Sequence, residues 1–321
     1  MGTMLRRRWP GQAGTGRRAS RTGRVTEACC FLARGGARSL SRRMRALALA
    51  VLTGPAVASP AQSASPITPS PVQASYTASW AGFSIVTLDA SLELGAEAYR
   101  VVATMRTAGL LATFVRGEQI TLVEGRVQPQ ASPLALLPAR FSMEGRWRGT
   151  PRRVALRWTD GQPEVLALIP ANQEERDPVP PELQRGTVDT LTALAALVRQ
   201  AASSNRCEGT AQVFDGRRRS DFTATTDGMD RLEPTRWSGF SGPALRCRFE
   251  GRQIAGFWKE QDRDEAARPR AGRAWFASPA PGLPVIPVRI EAESSWGTVY
   301  VHMTRAAPGL IPLPAQQTDR R

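Results

Sequence analysis

Histidine and lysine are nearly missing from this 321-residue chain, with His302 and Lys259 the single examples of each. One histidine leaves a zinc site short of ligands, and no serine or cysteine elbow accompanies it for nucleophilic catalysis. His302 alternates within V-Y-V-H-M-T, so it reads as a half-exposed strand residue. No C-x-x-C pair, phosphate-binding glycine loop or dinucleotide fingerprint occurs. No apolar run reaches the ~20 residues a membrane-spanning helix needs. The chain is therefore expected to carry no metal, no cofactor, no transmembrane anchor and no recognisable catalytic residue.

What is abundant is arginine: 42 of the 43 basic residues, against 28 acids, for a net charge of +15. Such a balance suggests nucleic acid or an anionic membrane until it is mapped along the chain. The first 43 residues hold eleven arginines and one acid, Glu27, and Arg45 adds a twelfth arginine, so only +4 remains beyond it. The body is mildly basic, and no nucleic-acid partner is expected. Arginine-for-lysine usage with much Ala, Gly and Pro also fits the bias of a GC-rich genome, which weakens each single arginine as a functional signal.

Residues 1–43 have no apolar periodicity and read as a disordered leader. From Arg42 the order is basic residues, a short apolar run (46–52), a Gly-Pro break and small residues, the pattern of a secretory signal over 44–61 with cleavage after Ala58 or Ala61. Met44 is the expected initiator, and a periplasmic location follows. Residues 62–73 read as a Pro/Ser linker, 74–305 as one folded domain and 306–321 as a disordered tail.

Beyond the leader, which holds Cys29 and Cys30, the cysteines are Cys207 and Cys247. An even pair in an oxidising compartment is most simply a disulfide.

The body reads as mainly β. Alternation gives three antiparallel strands between Ala74 and Thr107, then strands at 119–127, 139–147, 153–158 and 165–169. A helix is expected over 187–202, capped by Thr187 or Asp189, with Val188, Leu191, Leu194, Ala195 and Val198 on one face. Strands resume at 211–214, 217–225, 231–237, 245–250, 273–276, 285–293 and 298–304. One amphipathic helix beside so many strands implies a strongly curved antiparallel sheet, or incomplete barrel, packed around it.

The segment V-F-D-G-R-R-R (213–219) contains the strongest local turn signal. An Asp215-Gly216 type I′ turn would pair Phe214 with Arg217. Arg217 and Arg219 would then share a face as candidate anion contacts, although a solvated edge that discourages aggregation is the plainer reading. Asp189, Asp215 and Glu250 are the acids a carboxylate-dependent hydrolase would draw on. Trp80, Phe83, Trp147, Trp158, Trp237, Phe257 and Trp258 are the candidate ligand-lining aromatics, with plain core packing as the alternative.

Several of these stretches together resemble the exported bacterial proteins of the domain of unknown function 3108. They are Y-T-A-S-W-A-G-F-S-I (76–85), R-G-T-V-D-T-L-T-A-L (185–194), V-F-D-G-R-R-R, I-A-G-F-W-K (254–259) and P-V-R-I-E before G-T-V-Y-V-H (287–302). The resemblance implies a periplasmic, mainly β protein and supplies no catalytic residues. The expected function is a non-catalytic envelope protein that binds a lipid, a glycan or a protein partner in the concave face of its sheet. A secreted hydrolase is the alternative.

Overall fold

The computed structural model describes residues 71–128 and 136–311. The leader, the signal segment, Cys29, Cys30, linker residues 62–70 and tail residues 312–321 lie outside them.

The chain first forms seven strands: β1 (Val72–Trp80), β2 (Phe83–Leu94), β3 (Ala98–Thr107), β4 (Gly117–Val127), β5 (Leu136–Trp147), β6 (Thr150–Thr159) and β7 (Gln162–Ile169). A short helix α1 (Leu111–Phe114) joins β3 to β4. A connection containing α2 (Asn172–Glu175) and α3 (Thr190–Ser204) follows. Six more strands complete the body: β8 (Gly209–Phe214), β9 (Arg219–Leu232), β10 (Gly242–Ala255), β11 (Arg270–Ala277), β12 (Ile286–Ser294) and β13 (Gly297–Pro308), with α4 (Arg263–Ala266) before β11.

Every neighbouring pair is antiparallel, and the thirteen strands make one open sheet in the order β7-β6-β5-β4-β3-β2-β1-β13-β12-β11-β10-β9-β8. The first and last strands therefore meet at its centre, Val72 opposite Pro308. The two free edges, β7 and β8, are consecutive in sequence. The segment between them must cross from one edge to the other, and it carries the long helix.

Three hairpins turn on a residue followed by glycine. Ala81-Gly82, Arg148-Gly149 and Asp160-Gly161 each hold both central residues at positive φ, from 47° to 83°. Those are the angles a two-residue loop needs to match the twist of its strands.

Helix α3 lies against both halves of the sheet. Ala195 and Ala196 pack with Tyr99, Val101, Phe141 and Leu156, whereas Val198 and Ala201 pack with Leu245, Cys247, Ala274 and Phe276. Asp189 is the cap: its carboxylate accepts from the Thr192 amide at 2.9 Å. Val188, expected on the helix, instead forms a parallel bridge with Val213. Capping at Asp189 leaves Val188 extended, where it covers the exposed side of β8.

Other boundaries also shift. Val72 and Gln73, expected in the linker, and residues 306–308, expected in the tail, belong to the central β1–β13 pair because each finds a ladder partner there. The separate strand expected at 231–237 is absent; β9 runs unbroken to Leu232, and a loop closed by Thr235 and Ser238 follows.

The seam between the edges is held by arginines. Arg217 donates to the carbonyls of Ile169 and Pro170 at 2.7 and 2.9 Å and to Asn172 Oδ1 at 3.3 Å. Arg176 donates to the Gly256 carbonyl at 2.8 Å and stacks on Trp258, with 3.9 Å from guanidinium carbon to ring centre. Gly256 is at positive φ, and a side chain there would collide with the Arg217 backbone.

Candidate functional site

The residues that meet inside the sheet are small on one flank of α3. Ala193 and Ala196 on the helix face Gly209 and Ala211 on β8, Ala224 on β9 and Ala274 on β11. Short side chains on both walls leave space that leucines would fill. The result is a cavity of about 470 Å³, its remaining wall built from Leu194, Leu197, Phe222, Phe249, Phe276 and Ile290. A smaller cavity of about 140 Å³ lies on the helix's other flank, between Leu191 and Val198 on one side and Tyr76, Leu88 and Val101 on the other. Leu194 and Ile290 line both.

Among the described residues no charged side chain lines either cavity; the polar lining of the larger one is threonine and Gln212. At its helix N-terminal end a buried chain runs from Tyr99 to Thr192 to Asp189. The Thr192 hydroxyl donates to Asp189 at 2.5 Å and sits 2.6 Å from the Tyr99 hydroxyl, which it therefore accepts. Burial pushes the Tyr99 hydroxyl up, against the lowering effect of its Thr192 hydrogen bond. Burial also pushes the Asp189 carboxyl up, partly offset by the hydrogen bonds from Thr192.

Cys207 and Cys247 are joined, with Cα atoms 6.0 Å apart. Cys247 contributes to the cavity wall. Cys207 follows the left-handed Asn205 that ends α3, so the bond ties the helix exit to β10.

The candidate anion contacts stand elsewhere. The turn is centred one residue later than expected, on Gly216-Arg217, and Phe214 pairs with Arg219. Asp160-Gly161 takes positive φ at both residues, as a I′ turn requires, but Asp215 does not take positive φ. Its carboxylate instead accepts from the amides of Arg217 and Arg218 and from the Arg218 guanidinium. Burial pushes the Asp215 carboxyl up, but the Arg218 charge and these donors outweigh it and hold it below its usual range.

Arg217 and Arg219 are both buried. Arg219 donates to the carbonyls of Leu183 and Ser220 and to Asp221. Their donors face the protein's own oxygens, so neither is presented to a solvent anion.

The three nominated acids do not converge. Asp189 caps α3, Asp215 organises its turn, and Glu250 lies on β10 between Thr223 and Ala271. Among the described residues no group of three or more His, Cys, Asp or Glu is placed to hold a metal. His302 is buried rather than half-exposed. It stands opposite Arg289, and burial, aided by that positive charge, lowers its pKa.

None of the seven expected aromatics lines either cavity. Trp158 is core, its indole donating to the Thr187 carbonyl at 2.8 Å. Trp258 is stacked under Arg176, and Phe257 adjoins it in the seam, its carbonyl accepting from the Asp177 amide. Trp80, Phe83 and Trp147 stand at hairpin ends, and Trp237 lies under Arg236. The true liners, Phe222, Phe249 and Phe276, sit within strands β9, β10 and β11. The signal that could have found them is the run of Gly and Ala on the adjoining strands, which marks where the interior is left unfilled.

No curated protein matches the chain. Among solved structures it is similar to a beta-barrel-like protein of domain of unknown function DUF1849 from Brucella abortus, at 10% identity and TM-score 0.46 over 76% of this chain and 99% of that one. It is also similar to a domain described as an outer membrane lipoprotein-sorting protein from Vibrio parahaemolyticus, at 7% identity and TM-score 0.19 over 74% and 85% of the two chains. The family model described as "Protein of unknown function (DUF3108)" matches residues 75–304, and the chain belongs to that family.

Proposed function

We propose that the protein binds one apolar chain, such as the acyl chain of a lipid, in the cavity between α3 and β8–β12, and that it does so without catalysis. The cavity itself carries this reading. Its volume falls within the roughly 300–1,000 Å³ of small-molecule sites, its walls are mostly hydrocarbon, and among the described residues none presents a charged side chain to a polar substrate. A hydrolase acting there would need carboxylates that the lining lacks.

A periplasmic location accords with the Cys207–Cys247 bond, since such bonds persist in oxidising compartments. Among the described residues no helix is long and apolar enough to cross a membrane.

The test is displacement of a fluorescent fatty acid from the purified protein, together with mass spectrometry of any lipid extracted from it. Ala211→Trp, which fills the cavity from β8, should abolish probe binding while the melting temperature stays near wild type. Equal binding by A211W and wild type would refute the assignment.

A further inference from the structure

In an antiparallel meander the turns alternate between the two ends of the sheet. The β1–β2, β3–β4 and β5–β6 connections therefore share one end, and the antiparallel pairing of β1 with β13 brings the β12–β13 turn to it as well. These connections carry the most exposed large apolar residues described: Trp296 is 81% exposed, Phe114 78%, Leu110 64% and Phe83 62%. The opposite-end turns at 95–97 and 160–161 hold no aromatic residue, whereas the β9–β10 loop, which alternation also assigns to that end, carries Trp237 and Phe240.

The exposed residues form a continuous rim. The Trp80 indole donates to the Trp296 carbonyl at 2.8 Å, joining two hairpins. The Ala108 amide donates to the Ile85 carbonyl, and Gly109 is pressed on Ser84, which seats the α1 segment beside the start of β2. Gly117, where β4 begins, lies against the Trp147 ring. The β9–β10 loop, which alternation assigns to the opposite end, nevertheless touches this one: Arg236 donates to the Gly82 carbonyl at 2.9 Å.

Arginines are interleaved with these groups. Arg116, Arg146 and Arg148 are exposed, and the Arg148 amide donates to the Arg116 carbonyl. None of the three has a carboxylate within 4.0 Å among the described residues. Arg106, by contrast, is paired with Asp89 and Glu118.

We propose that this rim docks the protein on an anionic phospholipid bilayer. Tryptophan is the side chain suited to the level of the headgroups, because its ring is apolar and its N–H polar. Unpaired guanidinium groups beside it complement lipid phosphates. The apolar groups stand exposed on hairpin ends and line neither cavity, an arrangement that suits a broad surface better than a single sugar or peptide. The rim is separate from the ligand cavity and stands independently of it.

The experiment uses the full chain with vesicles of phosphatidylglycerol and phosphatidylcholine, some carrying brominated acyl chains. Because the N-terminal arginines add their own attraction to anionic vesicles, the decisive reading is local: tryptophan quenching by the brominated chains in wild type minus that in Trp296→Ser. Quenching should fall with W296S, and the double variant W296S/F114S should lower partitioning to phosphatidylcholine-rich vesicles by about tenfold. Arg116→Ser with Arg148→Ser should weaken binding to phosphatidylglycerol vesicles at low salt only. Both altered tips are exposed, and an unchanged circular dichroism melt confirms folding.

Undiminished quenching in W296S would overturn the proposal. So would self-association in solution that W296S/F114S abolishes without vesicle contact, since a second copy would then be the rim's partner. The cavity-filled A211W should dock normally, which keeps this outcome distinct from that of lipid binding inside the sheet.

Discussion

Substituting Asp189 by alanine removes the helix cap and also strands its buried partners. Capping by a carboxylate oxygen is worth ~1 kcal/mol. The Thr192 hydroxyl, 1% exposed, would lose the acceptor it donates to, and an unsatisfied buried polar group costs about 1–3 kcal/mol. Together these give about 2–4 kcal/mol, or roughly 4–16 °C in melting temperature for a domain of this size. Asp189→Asn keeps an acceptor for the Thr192 amide and should be milder.

Wild type and D189N also differ in pH dependence. Burial raises the Asp189 pKa above its ordinary value of 3.8, so the folded state holds this proton where the unfolded state has lost it. The resulting stabilisation is fully present below 3.8 and fades as pH rises through the higher folded value. Asparagine has no proton to lose. Urea unfolding of wild type and D189N across about pH 4 to 8 should therefore show the difference moving in favour of D189N as pH rises. If D189N is as damaging as D189A throughout, or if the difference moves the other way, the buried chain from Tyr99 to Asp189 does not hold the helix as described.

Reducing the Cys207–Cys247 bond, or replacing both residues by serine, should lower stability by up to about 4 kcal/mol in the chain-entropy model for a separation of 40 residues, read by urea unfolding with and without reductant. Gly216→Ala and Gly149→Ala form a matched pair: both sites have positive φ, but a Cβ at Gly216 would lie 2.5 Å from Val154 Cγ1, whereas nothing lies within 4 Å at Gly149. G149A should cost ~1 kcal/mol for its backbone, and G216A a further 1–3 kcal/mol, roughly, for overpacking; equal melts would show that the turn does not press on β6. Arg217→Ala should cost about 2–4 kcal/mol by leaving the carbonyls of Ile169 and Pro170 without their donor, and proteolysis should then cut near residue 170 first; an unchanged cleavage pattern would contradict the seam.

Strand content and the single long helix were legible because they depend on local pattern. Alternation located β1 to β3 and the β12–β13 hairpin near Trp296, and Asp189 offered the helix start. The failures lie where distant groups compete for a local choice. Asp-Gly specifies a I′ turn at Asp160-Gly161, whose surroundings are open. At Asp215-Gly216 the carboxylate is captured by the amides of Arg217 and Arg218, the turn moves by one residue, and Arg217 turns inward to the far edge of the sheet. Arginine looks the same in sequence whether its donors meet water or a carbonyl 48 residues away. His302 fails similarly: alternation gave its strand but not what would cover it.

The cavity was illegible for a different reason, since it is defined by what its walls lack. The tryptophans, the largest aromatics, occupy hairpin ends, the seam and the core, while the hollow is framed by glycine, alanine and three phenylalanines. Interiors normally close to crystal-like density, and a strand such as β8 could carry Val or Ile at 211 without disturbing its ladder. Smaller residues there forgo contacts that would otherwise stabilise the fold. The forgone packing is concentrated on one flank of α3, between walls contributed by β8, β9 and β11. On the other flank Ala195 packs in one cluster with Tyr99, Phe141 and Leu156, and the space left there is the smaller of the two cavities. A sheet that stands farther from its helix on one flank than on the other has its larger vacancy fixed in position by the same covalent tie, Cys207–Cys247, that borders it. An apolar chain entering there would restore the missing contacts, so it should raise the melting temperature in proportion to the logarithm of its concentration once that exceeds Kd. Fatty acids of increasing length, added at equal concentration, should give successively larger shifts until the cavity is full; a shift independent of chain length would argue that the hollow is not where they bind.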